Sequence, residues 1–114
     1  MKTLAAITLT VAFLLPVFAQ DAMQYGVKHL KILAEDSKVH VLRYAPSKGD
    51  KTPMHSHPET VMYVIKGGKV RLTLPDGSST IGELKSGDAA LRSPVTHSDE
   101  ALDDLEVILI ELKK

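Results

Sequence analysis

The stretch Met54–Gly68, "MHSHPETVMYVIKGG", decides how this chain is read. It sets two histidines, His55 and His57, one residue apart at the head of a β-branched, apolar run that closes on paired glycines. On a strand, residues i and i+2 share a face, so both imidazoles project to one side. Carried forward without a break, the same alternation puts Val61, Tyr63 and Ile65 on the histidines' side and Met62 on the opposite one. A third histidine, His97, follows much later in "RSPVTHSDE". Neutral imidazole is a common ligand for transition metals, and two local ligands joined by a distant one is a common way to build a site. The H-x-H spacing alone is a weak signal, and surface histidines beside a turn fit it equally well.

Outward from this stretch, β signals dominate. "KVHVLRYA" (Lys38–Ala45) alternates, with Val39 and Val41 on one face and His40, Leu42 and Tyr44 on the other. In "KVRLTLPDGSSTIGEL" (Lys69–Leu84), Val70, Leu72 and Leu74 share a face before a Pro75-Asp76-Gly77 turn. "KSGD" (Lys85–Asp88) is a second turn, leading into the short strand "AALRSP". "LEVILIEL" (Leu105–Leu112) reads as a last strand buried on both faces, and "HLKILAED" (His29–Asp36) as a strand or a short helix. Short strands punctuated by turns predict an all-β sandwich or barrel in a single domain.

The N-terminus has a different character. Lys2 precedes an uncharged apolar stretch from Leu4 to Ala19 that ends in Val17-Phe18-Ala19, the small-residue spacing read by a signal peptidase. The run is shorter than the roughly 20 residues that span a bilayer, and Pro16 interrupts it. Residues 1–19 therefore read as a cleaved secretory signal, with residues 20–114 as an exported domain, periplasmic or secreted, and with no stable membrane insertion after cleavage. The sequence has 14 basic and 14 acidic residues, a balance that offers nothing to nucleic acid or an anionic membrane surface. It has no cysteine, so this small exported domain must draw its stability from a closed β core, a bound metal or a second subunit.

Glycines frame the histidines. Gly49, His55-x-His57, position 61 and Gly68 follow the spacing G-x5-H-x-H-x3-E-x6-G, and in this the chain resembles the first motif of the cupin family. Gly87, Pro94 and His97 resemble parts of the second motif. The departures are Val61 in place of the first motif's glutamate, Ser93 and Val95 in the proline and glycine slots of the second, and Ala101 near its asparagine slot. The resemblance implies a cupin-type antiparallel β-barrel or jelly roll, commonly a homodimer, with a metal held inside one end by His55, His57 and His97.

Three neutral imidazoles leave the charge of a divalent ion uncompensated and make it a stronger Lewis acid. Iron, zinc, manganese, copper and nickel all accept such donors. A dioxygenase-like oxidoreductase acting on a small molecule is one reading. A non-catalytic binder of a metal or small ligand is another, and a metal that only braces the barrel is a third. Glu59 is a weak candidate for the absent carboxylate, since Pro58 interrupts its strand. Tyr63 is a candidate to contact substrate, and Arg92 a candidate for holding a substrate carboxylate. No acid, base or free histidine is placed in the pocket by the pattern. The acidic residues from Asp99 to Glu106 read as a solvated hairpin turn, and His29 and His40 as structural or surface residues.

Overall fold

A computed structural model describes residues 27–114, and the expected signal segment, residues 1–19, lies outside them. The described residues form nine strands and no helix: β1 (Leu30–Glu35), β2 (Val39–Tyr44), β3 (Lys51–His57), β4 (Thr60–Lys66), β5 (Gly68–Thr73), β6 (Ser79–Leu84), β7 (Ala89–Arg92), β8 (Val95–Ala101) and β9 (Glu106–Leu112). "HLKILAED" thus contributes a strand. All pairings are antiparallel. They build a five-stranded sheet of order β1-β2-β9-β4-β7 and a four-stranded sheet of order β3-β8-β5-β6. This is the expected all-β jelly roll.

The inner faces follow from alternation. His40, Leu42 and Tyr44 of β2 point inward, as do Thr60, Met62 and Val64 of β4. Leu42, Val64 and Val107 are fully buried. Leu42→Ala would cost about 2–5 kcal/mol, transfer and cavity terms together. The core cluster, which includes Leu30, Tyr44, Met62, Val64, Val70 and Val107, is aliphatic apart from Tyr44. Gly67 and Gly68 carry the chain from β4 in one sheet to β5 in the other, where no side chain fits. A Cβ on Gly67 would collide with the Leu84 carbonyl oxygen, and one on Gly68 would sit 2.7 Å from Asp103 Cβ.

The expected facing of β4 is reversed. Tyr63 and Ile65 are 47% and 45% exposed, while Met62 is buried. The chain turns at Pro58-Glu59 between β3 and β4, so the parity set at His57 does not carry into Thr60. Expected burial of β9 on both faces is also corrected. Val107 and Glu111 are buried inward, whereas Ile108 and Ile110 on the other face remain half-buried.

That outer face is unusually apolar. Val41, Ile110, Val61 and Leu91 lie in register across β2, β9, β4 and β7, with Arg43, Ile108, Tyr63 and Ala89 in the next row. The outward face of an antiparallel sheet is ordinarily polar.

Candidate metal centre

Strand pairing gathers the three histidines. His55 of β3 lies opposite His97 of β8, and His57 is two residues along the same face. A Ser56–Thr96 hydroxyl hydrogen bond of 2.8 Å fastens the two strands from the other side. The rings of His55, His57 and His97 meet edge to face with centroids 4.6, 4.8 and 5.2 Å apart. One ring nitrogen from each lies within 4.8 Å of the others, a group able to hold an ion.

Hydrogen bonds behind the rings fix which nitrogen faces inward. His55 Nδ1 lies 2.6 Å from the carbonyl oxygen of Pro53, which only accepts, so Nδ1 carries the proton. His57 Nδ1 lies 2.5 Å from Glu111 Oε2 and donates to it in the same way. In the neutral rings both Nε2 atoms are lone-pair acceptors, and they face each other at 2.8 Å. Two acceptors at that distance need a proton or a cation between them. Burial lowers the pKa of His55, against a smaller raising effect of the Pro53 hydrogen bond, and so favours its neutral ring with the Nε2 lone pair open to a cation. His97 is pushed down to about 3 by burial and then by His55, His57 and Arg92. The donor set thus fits a divalent ion, whose bonds to imidazole nitrogen run to about 2.0–2.1 Å for zinc.

Two carboxylates support this cluster, and neither was expected there. Glu111 crosses from the opposite sheet, accepts a hydrogen bond from His57 Nδ1 and accepts a second from His40 Nδ1 at 3.1 Å. Burial raises its pKa, but the hydrogen bonds and charges of His57 and His40 outweigh this and leave it lowered. The inward parity of position 111 with Val107 and Leu109, in an apolar strand, is the signal that could have found it. Asp99, two residues beyond His97, is the other; its side chain is 8% exposed and not part of a solvated turn. The Tyr44 hydroxyl donates to Asp99 Oδ1 at 2.7 Å, while Oδ2 lies 3.9 Å from His55 Nε2. Burial and then the neighbouring Asp99 charge push the Tyr44 hydroxyl pKa up. His97-x-Asp99 has the same spacing as His55-x-His57, which is the pattern overlooked in the sequence.

The histidines sit at the wall of a cavity of about 490 Å³. Leu30, Met62, Val70, Leu84, Val107 and Leu109 supply much of its lining, a composition suited to a largely apolar small molecule. Arg92, an exposed residue, also lines it. The remaining candidates lie elsewhere. Glu59 is exposed in the turn after β3 and lies outside the histidine group. Tyr63 faces outward. Val61 pairs with Ile110 on the outer face, so the β4 side chains that line the histidine cavity are Thr60 and Met62. His40 is buried and structural, and half-buried His29 shares a 2.8 Å hydrogen bond with Thr52.

No family model matches this sequence, and no curated protein matches it. Solved structures do. A cupin domain from Bordetella pertussis Tohama I superposes with a TM-score of 0.69 at 21% identity, over 87% of this chain and all of that one. An RmlC-like cupin from Methanocaldococcus jannaschii, described as a double-stranded β-helix, gives 0.57 at 18% identity over 74% and 78%. KdgF from Halomonas sp. gives 0.55 at 21% identity over 77% and 83%. At these identities the likeness establishes the fold.

Proposed function

We propose that this chain of cupin fold is an exported, metal-dependent oxidoreductase that performs oxygen-dependent chemistry on a small, largely apolar molecule. His55, His57 and His97 would hold the ion, which when bound supplies a Lewis-acid centre and, if redox-active, a means of engaging dioxygen. The observation that carries this reading is the 2.8 Å approach of the two Nε2 lone pairs on the wall of an apolar cavity. Around it, Pro53 and Glu111 hold two rings in one tautomer, and the cavity lining is largely aliphatic. Arg92 would bind an anionic group of the substrate.

Export is supported by the signal-like character of residues 1–19. A homodimer is supported by the apolar outer rows ending at Leu91, which is 84% exposed.

A second reading, a non-catalytic binder of metal or small ligand, is favoured by one specific observation. Tyr63, the side chain singled out for contact with substrate, faces away from the cavity. Metal analysis of the untagged protein, followed by oxygen-uptake assays with small apolar acids and phenols under iron loading, separates the two. Uptake abolished by His55→Ala and by His97→Ala supports the enzyme. Stoichiometric metal with no uptake across the panel supports a metal binder, and absence of metal under every loading condition overturns the enzyme and leaves a binder of small ligands alone.

A further inference from the structure

We propose that Asp99 is a fourth metal ligand, supplying from β8 the carboxylate that the H-x-H stretch lacks. The inference rests on the three-histidine reading above. His97 and Asp99 are two residues apart on one strand and share its inward face, so the strand that provides the third imidazole also delivers a carboxylate to the same space.

The Asp99 side chain is 8% exposed and, among the described residues, forms no ion pair with a lysine or arginine. Tyr44 occupies Oδ1 as a donor at 2.7 Å, which fixes the carboxylate plane and leaves Oδ2 directed toward His55. Oδ2 and His55 Nε2 are 3.9 Å apart, beyond a hydrogen bond, and His55 has its proton on Nδ1. Two acceptors thus face each other across a gap of 3.9 Å, with Asp99 standing just outside the three histidine nitrogens that lie within 4.8 Å of one another. Donors each about 2.0–2.2 Å from one ion stand up to roughly 4 Å apart, so the gap suits a cation shared between them.

A carboxylate in the ligand set removes one unit of charge from the ion and shifts the site from three neutral donors to a mixed nitrogen–oxygen set. Tyr44 is then a positioning residue that acts through Asp99.

The test compares wild type, Asp99→Asn, Asp99→Ala and Tyr44→Phe, each untagged and loaded with Cu(II) or Zn(II). Zinc affinity is read by competition with a chromophoric chelator, and the copper ligand set by electron paramagnetic resonance. The expected result is a loss of zinc affinity of about 100-fold or more in both Asp99 variants, at or above the upper limit of an outer-shell partner. Shifted copper g and hyperfine values should accompany it. Tyr44→Phe keeps the carboxylate, so its copper spectrum should stay close to wild type, and Asp99→Asn keeps an acceptor for Tyr44 that preserves the fold. Copper spectra identical to wild type in both Asp99 variants overturn the inference while leaving the three-histidine site standing. A wild-type protein that binds neither ion overturns both.

Discussion

Glu111 reaches from β9 in one sheet to His57 on β3 in the other, where its Oε2 accepts the Nδ1 proton at 2.5 Å. This tie across the sandwich orients His57 and directs its Nε2 lone pair at the site. A carboxylate behind a ligating histidine raises its basicity. The negative charge absent from position 61 is thus partly restored from behind the ring.

Replacing Glu111 tests that tie. Glu111→Gln should weaken zinc binding about 10–100-fold, the range for such outer partners, with the ion-to-protein ratio still reaching its wild-type value at saturation. Glu111→Leu should also lower stability by about 1–3 kcal/mol, because the buried Nδ1–H groups of His40 and His57 lose their acceptor. Competition titration and urea unfolding read the two effects. Unchanged zinc affinity in Glu111→Gln would show that the tie does not reach the metal.

Chelation gives a second prediction. An ion bound only by the folded chain stabilises it by about 4 kcal/mol when present at a thousand times its Kd. For a domain of this size that corresponds to a Tm lower by on the order of 20 °C once the ion is stripped. The histidine variants should already melt at the stripped value and should not respond to chelator. Calorimetry with and without chelator decides it, and equal Tm values for loaded and stripped wild type would contradict a folded-state site.

The pH dependence of the metal-free protein has a definite sign. His97 titrates near 3 in the fold against about 6.5 for an ordinary histidine, and His55 shifts in the same direction. Between those values the unfolded chain binds protons that the fold refuses, so stability falls as pH drops from about 6.5 toward 3 and is level above about 7. Glu111, with its carboxyl lowered, contributes stability that is lost as pH falls through its folded value, steepening the acid end of the same curve. Urea midpoints between about pH 8 and pH 4 measure this. A midpoint that rises on acidification would show the wrong sign.

The outer sheet face supplies the last prediction. Tyr63→Glu and Ile65→Glu alter exposed positions of β4 that line no part of the histidine cavity, so metal affinity should stay within about twofold of wild type. If the face joins two copies, either charge should convert a dimer to a monomer in light scattering. A wild-type monomer at all concentrations, or a dimer untouched by both charges, would locate self-association elsewhere.

Much of the fold was legible because strand alternation is a local property. Val39 to Tyr44 and Val70 to Leu72 reveal their faces through neighbours two residues away, and Pro75-Asp76-Gly77 declares its turn. Alternation also fails locally: Pro58-Glu59 breaks the strand, so counting from His57 misplaced Val61, Met62 and Tyr63.

The sequence by itself determined an all-β chain with His55 and His57 on one face, because a period of two is written in adjacent residues. Only the tertiary structure decided that Glu111 backs His57, that Asp99 stands beside His55, and that Tyr63 is turned away. Those relationships depend on which strands pair, in what register, and which sheets face each other. Pairing is fixed by the burial of all the inner faces at once, and no single stretch of sequence carries that information.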